Sequence, residues 1–190
     1  MSTYSKKYFE LKNKSNRYSD TVIFSLFSHV SNLTKEEITI HFSDEINNKK
    51  LLDELVTKID DGLPYQYALG YTYFLGSKYY VDNNVLIPRQ ETEQLVLDTE
   101  RFIKERYQNK EVKILDMCSG SGVIGIELSK RISNSKVTLV DISESANKVA
   151  ENNAILNKTK VDIINSDLFS NLNEERYDVI VSNPPYIKSK

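Results

Sequence analysis

Val112-Lys113-Ile114-Leu115-Asp116-Met117-Cys118-Ser119-Gly120-Ser121-Gly122-Val123-Ile124-Gly125 is the stretch that decides the fold. It opens as a short apolar strand ending near Asp116 and passes into a glycine-rich turn. It then continues as a helix whose apolar positions are Val123, Ile124, Leu128 and Ile132. Gly120, Gly122 and Gly125 satisfy the spacing of a nucleotide-binding turn, in which glycine permits a tight bend and lets a ligand approach the backbone. The same alternation recurs downstream, with segments at 112–116, 123–132, 137–141, 144–156, 161–164 and 178–182. Strands separated by helices imply a parallel, Rossmann-like α/β sheet with right-handed crossovers.

Asp141 ends the strand Val137-Thr138-Leu139-Val140 and follows Gly122 by nineteen residues. A carboxylate there can accept both hydroxyls of a ribose, which suits a nucleotide cofactor of either common kind. Asp116 discriminates between the kinds. A carboxylate beside the loop that would cradle a pyrophosphate sets anion against anion. S-adenosyl-L-methionine has a ribose, no phosphate and a cationic ammonium and sulfonium, so the charge pattern favours this methyl donor over a nicotinamide dinucleotide.

A second constellation closes the chain, at Tyr177-Asp178-Val179-Ile180-Val181-Ser182-Asn183-Pro184-Pro185-Tyr186. A buried strand runs directly into a rigid tetrapeptide. Asn183 offers a side-chain carbonyl, the two prolines stiffen the backbone and remove N–H donors, and Tyr186 offers a flat stacking surface. Such a loop can hold a planar amino group whose lone pair is delocalised into an adjacent π-system. Two carbonyl acceptors, Asn183 and the Pro184 main chain, would bind its two hydrogens, and Tyr186 would hold its plane. The same residue types also end strands as plain turns. The neighbouring glycine loop gives the functional reading its weight.

At these residues the sequence resembles the release factor glutamine methyltransferases, the PrmC or HemK family. The match rests on Gly62-Leu63-Pro64-Tyr65-Gln66-Tyr67-Ala68-Leu69-Gly70, on Leu86-Ile87-Pro88-Arg89-Gln90-Glu91-Thr92-Glu93, and on the glycine loop taken with Asn183 to Tyr186. The middle segment discriminates, because Asn-Pro-Pro-Tyr also occurs in methyltransferases acting on DNA and ribosomes. The resemblance implies a class I S-adenosylmethionine-dependent methyltransferase fold preceded by a small helical domain. It further implies that Cys118, Ser119, Gly120, Ser121 and Gly122 wrap the methionine part of the cofactor, that Asp141 binds the ribose, and that Asp167 and Leu168 border the adenine. Asn183, Pro184, Pro185 and Tyr186 match the pocket for the glutamine amide, and Arg89, Glu91 and Thr92 belong to a segment that closes over cofactor and substrate. Departures are Cys118-Ser119 in place of a frequent Gly-Thr, Gln90 in place of a usual proline, and Leu168 in place of a frequent aromatic.

The activity so implied is direct transfer of the sulfonium methyl to the N5 amide nitrogen of a glutamine in a peptide chain release factor, a protein methylation tied to translation termination. The family's domain continues beyond Asn-Pro-Pro-Tyr, whereas only Ile187-Lys188-Ser189-Lys190 remain here. By analogy the strands lie in the order third, second, first, fourth, and the neighbour of the fourth is absent. The expectation is therefore a truncated chain that keeps the cofactor half-site while transfer is weakened or lost. Two other readings stay open: an amino methyltransferase of the adenine N6 type acting on a flipped base, and a non-catalytic cofactor-binding fragment.

Composition narrows the field. The chain has 190 residues, 39% of them hydrophobic and 27% charged, with a formal net charge of −2, which is the profile of a globular protein. No apolar run approaches the roughly 20 residues of a bilayer span, and the N-terminus lacks a secretory core, so a cytoplasmic protein without a membrane partner is expected. Basic residues cluster only at Lys6, Lys7, Lys12, Lys14 and Arg17. Nucleic acid is accordingly not expected as the direct substrate. His29 and His41 have no companions at metal spacing, so no metal is expected. The single cysteine, Cys118, has no histidine in the α/β part to activate it and reads as a small turn residue.

Upstream, the spacing predicts a helical domain at 1–69. Tyr4, Tyr8 and Leu11 share one helical face; Ser19-Asp20 can cap a helix carrying Ile23, Leu26, Phe27 and Val30; Thr34 to Glu37 is a capping box; and Leu51, Leu52, Leu55, Val56 and Ile59 form a stripe stopped by Gly62 and Pro64. A β-hairpin linker is expected at 70–88, with strands Tyr71 to Leu75 and Lys78 to Val81 about Gly76-Ser77. A partial methyltransferase domain at 89–190 then opens with a helix from Gln90 to about Tyr107.

Overall fold

The computed structural model describes residues 2–108, 110–172 and 176–185. It divides into two compact units, residues 1–69 and 70–190.

The first unit is helical: α1 (Tyr4–Lys14), α2 (Asp20–Ser31), α3 (Lys35–Ile40), α4 (Lys49–Asp60) and the short α5 (Tyr65–Leu69). Side chains outside the helices meet the orphan amides of three N-termini. Thr3 accepts from the Lys6 N–H, Ser19 accepts from the Val22 N–H, and Thr34 forms a full capping box with Glu37. Leu11, Ile23, Leu26, Phe27, Ile38 and Leu52 fill the interior. The buried Tyr18 hydroxyl bonds the Val56 carbonyl at 3.2 Å and the Asp60 carboxylate at 2.9 Å, joining the start of α2 to the end of α4.

The second unit opens with an antiparallel hairpin, β1 (Tyr71–Phe74) and β2 (Ser77–Tyr80). Its turn falls one residue earlier than the sequence reading expects, on Leu75-Gly76 rather than Gly76-Ser77. Both turn residues have left-handed φ, 47° and 79°, as the twist of a two-residue hairpin loop requires. A leucine in this conformation is unfavourable in isolation. Here its side chain packs on the core and its N–H bonds the Glu93 carboxylate at 2.8 Å, and these tertiary contacts override the local preference. The resulting register turns Phe74 and Tyr79 inward together.

Next come α6 (Gln90–Tyr107), β3 (Val112–Met117), α7 (Val123–Arg131), β4 (Ser135–Asp141), α8 (Glu144–Leu156), β5 (Asp162–Asn165) and β6 (Val179–Ser182). The four later strands form one parallel sheet in the order β5-β4-β3-β6, as the family resemblance implies. The chain reverses its direction of travel across the sheet between β3 and β6, so loops leaving the carboxyl ends of those strands diverge and open a crevice.

Helix α7 lies close against this sheet because Gly125 has no side chain. A Cβ there would stand 2.2 Å from Leu139 Cδ2 and 3.2 Å from Asp116 Cβ. The hairpin is pinned to α7 through Glu127, which is 1% exposed. Its carboxylate accepts from the Tyr79 hydroxyl at 2.7 Å, Lys130 Nζ at 2.7 Å and Arg131 Nε at 3.2 Å. Burial alone would raise this carboxyl's pKa, but the hydrogen bonds from Lys130 and Tyr79 bring it below the usual range, so the glutamate is held as an anion. No helix among the described residues is long and apolar enough to cross a membrane.

Gly125→Ala is expected to lower stability by about 1–3 kcal/mol, the usual cost of overpacking a filled core. Thermal or urea unfolding measures it, and a variant as stable as the parent would show that α7 can lift from the sheet freely.

Candidate functional site

Asp141 leaves the carboxyl end of β4 with both carboxylate oxygens engaged by main-chain donors. The Gly120 N–H donates to Oδ2 at 2.8 Å and the Ser143 N–H donates to Oδ1 at 2.9 Å. Each oxygen retains a lone pair, so the group can still accept from a diol. Its own carbonyl is fixed by the Ser166 N–H at 3.1 Å and by the side-chain amides of Asn147 at 3.1 Å and Asn165 at 3.2 Å. The three loops after β3, β4 and β5 are thereby tied to one residue.

These loops, the segment at 84–89 and the residues after β6 enclose a cavity of about 770 Å³. Cys118, Gly120, Asp141, Asp167, Leu168, Arg89, Asn183, Pro184 and Pro185 line it, so most of the residues singled out from sequence come together around one space. Tyr186 lies outside the described residues. Glu91 is exposed and does not line the cavity, whereas Thr92 is buried just behind it and takes a hydrogen bond from Asn183 Nδ2 at 3.2 Å. Asn183 follows β6, whose last residue is fixed by the Ser182 hydroxyl bonding the Met117 carbonyl at 2.6 Å.

Four expected cofactor contacts are displaced from the cavity lining. Left-handed φ values at Cys118, Gly120 and Gly122 (60°, 53° and 78°) bend the loop so that Cys118 and Gly120 border the cavity, while Ser119 and Ser121 are buried. Gly122 heads α7, where a Cβ would meet Ala150 Cβ and Leu139 Cδ1 at 3.0 Å, so this glycine serves packing.

The fourth is Asp116, and it is the main correction. It is fully buried beneath the loop, where one oxygen accepts the Gly125 N–H at 2.9 Å. With a glycine at the N-cap, α7 has no side-chain cap of its own, and the strand's carboxylate meets a first-turn amide instead. Burial raises its pKa to about 7, the Gly125 N–H opposes that rise, and the charge on Asp141 adds to it. A carboxyl placed there does not line the cavity, so Asp116 is no direct contact of a ligand bound in it.

Sequence reading also missed contributors. Asn84, Val85 and Leu86 form one wall, and Ile142, Ala146 and Ser166 add to the other. Ile142 follows the strand-ending carboxylate as an exposed apolar residue, and that was the available signal. Asn153 carried none. Buried within α8, its amide accepts from the Tyr80 N–H at 2.6 Å and donates to the Tyr80 carbonyl at 3.0 Å and the Ser121 carbonyl at 2.9 Å, joining β2 to the glycine loop.

Residues 95–190 match the family model described as the methyltransferase small domain. The chain belongs to that family. Within this methyltransferase family, the chain is 40% identical over 152 residues to a release factor glutamine methyltransferase of Flavobacterium psychrophilum, covering 76% of this chain and 52% of the relative. It is 41% identical over 167 residues to one from Fusobacterium nucleatum, covering 85% and 46%. The chain thus spans about half the length of the curated relatives it matches. Among solved structures, the Pyrococcus abyssi tRNA (uracil-54, C5)-methyltransferase in complex with S-adenosyl-L-homocysteine superposes with a TM-score of 0.50 at 23% identity, over 60% of this chain and 28% of that one. That likeness establishes the class I methyltransferase fold.

The Asp116 carboxyl keeps its proton to higher pH when folded than when unfolded. Its contribution to stability is therefore full below 3.8 and is lost as pH rises through about 7. Asp116→Asn should gain thermal stability relative to the parent progressively across that window and hold a constant difference above it. Melting curves at several pH values measure this, and a difference independent of pH would assign the residue a different protonation behaviour.

Proposed function

We propose that this chain carries the donor site and amide pocket of an enzyme that moves the methyl group of S-adenosyl-L-methionine to the N5 side-chain nitrogen of a glutamine in a peptide chain release factor. The observation that carries the reading is the meeting of Asp141 and Asn183 on one cavity, the former suited to a ribose and the latter to an amide. The names of the relatives support the substrate.

The residues present fit the donor. Asp141 offers its remaining lone pairs to the ribose hydroxyls, Ile142 and Leu168 offer apolar surface to the adenine, and Gly120 leaves open space, since a Cβ there would meet no protein atom within 4 Å. The donor supplies an electrophilic methyl on a cationic sulfur. Asn183 Oδ1 and the Pro184 carbonyl accept the two hydrogens of the substrate amide, which orients a nitrogen lone pair otherwise spread into the carbonyl. Both acceptors also favour the positive charge that develops on nitrogen as the C–N bond forms. The nitrogen then sheds a proton to solvent, so no strong base is needed. Arg89 and the segment it heads close the cavity, and Tyr186 would stack on the amide plane. The helical unit at 1–69 is assigned to recognising the release factor and 89–190 to transfer, in the cytoplasm where translation terminates; the segment at 70–88, expected as a linker, is instead part of the second unit and supplies a wall of the cavity.

A labelled-methyl assay offering the release factor, its Gln→Ala variant and DNA side by side tests the reading. Label should appear on the intact release factor alone. Asn183→Ala should cut transfer by roughly a hundredfold or more while sparing donor affinity. Label on DNA, or on the variant factor, would replace this function with another.

A further inference from the structure

β2 pairs with β1 along one edge only, and the other edge leaves main-chain groups that need partners. Tyr80 stands opposite Tyr71, yet its N–H and carbonyl both turn to a single side chain of α8. Asn153, fully buried, accepts the Tyr80 N–H at 2.6 Å and donates Nδ2 to the Tyr80 carbonyl at 3.0 Å. One turn further on, Asn157 Nδ2 donates to the Lys78 carbonyl at 3.0 Å. Four residues of helix advance roughly 6 Å and two residues of strand roughly 6.6 Å, so asparagines four apart on α8 meet carbonyls two apart on β2. The helix serves the open edge as a third strand would.

Nδ2 of Asn153 has a second hydrogen, and it goes to the glycine loop, where it meets the Ser121 carbonyl at 2.9 Å. All three partners are main-chain groups of fixed donor or acceptor character, so they set the orientation of this amide without ambiguity. The peptide group between Ser121 and Gly122 is held at its other end as well, because the Gly122 N–H donates to the Ser119 carbonyl at 2.8 Å. A planar peptide group bonded at both ends has its plane fixed. The Gly120 N–H that meets Asp141 belongs to the same tight turn. Asn153 itself does not line the cavity.

We propose that Asn153 is a positioning residue for the methyl donor, which presets the glycine loop from behind and joins it to β2, so that donor binding and the attachment of the hairpin strengthen one another. The coupling is reciprocal: whatever orders the loop also holds Tyr80, and whatever breaks the Asn153 bonds weakens the donor. The inference rests on the donor site of the proposed function and does not involve the methyl acceptor.

The test combines calorimetric titration of S-adenosyl-L-homocysteine with amide hydrogen exchange on the whole chain. Asn153→Asp keeps an acceptor for the Tyr80 N–H but sets a carboxylate against the Tyr80 and Ser121 carbonyls, and it should weaken binding about tenfold or more while the protein stays folded by near-UV circular dichroism. Asn157→Ala loosens the same strand without touching the loop and should leave affinity unchanged. In the parent, the ligand should slow exchange of the Tyr80 N–H, which bonds Asn153, more than that of the neighbouring Val81 N–H, which bonds the Gly70 carbonyl. That difference should vanish in Asn153→Asp. Equal affinity in the folded Asn153→Asp variant, equal weakening by Asn157→Ala, or equal slowing at Tyr80 and Val81 in the parent overturns the inference and leaves the donor site standing. The exchange measurement decides alone if Asn153→Asp does not fold. No heat with the folded parent removes the donor site and the inference with it.

Discussion

The hydrogen bond from the Gly120 N–H to the Asp141 carboxylate holds the site together. It spans the carboxyl ends of two adjacent parallel strands and joins the glycine loop to the loop after β4. Gly120 itself adopts a left-handed φ of 53°, a conformation that costs glycine little, so the chain can turn toward α7 directly after that donor. With the Ser143 N–H on the second oxygen, the carboxylate is fixed in place before any ligand arrives. Preorganisation of this kind removes a reorganisation cost from binding and directs a full negative charge at the cavity.

Everything behind that contact keeps the loop in register. Gly125 lets α7 approach the sheet, Asp116 meets the first turn of that helix from below, and Asn153 anchors the Ser121 carbonyl while bonding both main-chain groups of Tyr80. The hairpin is held a second time by the Tyr79 hydroxyl on the buried Glu127. Burial and this hydrogen bond together push the Tyr79 pKa upward, so the phenol stays a donor and the glutamate an anion. A buried charge of this sort is tolerated because every one of its close partners is a donor.

Much of this was legible in the sequence, because hydrophobic period and turn chemistry are local. The alternation of strands and helices, the capping box at Thr34 and Glu37, and the start of α6 at Gln90 all follow from residues within a few positions of one another. The glycine spacing and Asp141 located the cavity for the same reason. What escaped depends on contacts between distant segments. Nothing near Leu75 in sequence tells that Glu93 will hold its N–H, so the hairpin turn was expected one residue late. Nothing near Asp116 tells which way its side chain points, and a helix lacking a side-chain cap claimed it. Thr92 was tied to closure of the site by family resemblance alone, and its bond to Asn183, 91 residues away, appears only in three dimensions.

The account requires that the cavity at the strand ends be a donor site whose affinity runs through Asp141. Isothermal titration of S-adenosyl-L-homocysteine into the chain and into its Asp141→Asn variant tests this most directly. Binding by the parent, weakened about tenfold or more in a variant that remains folded, is the expected result, since a charge-assisted bond to the ribose is lost. No heat with the folded parent, or equal affinity in the two proteins, would contradict it.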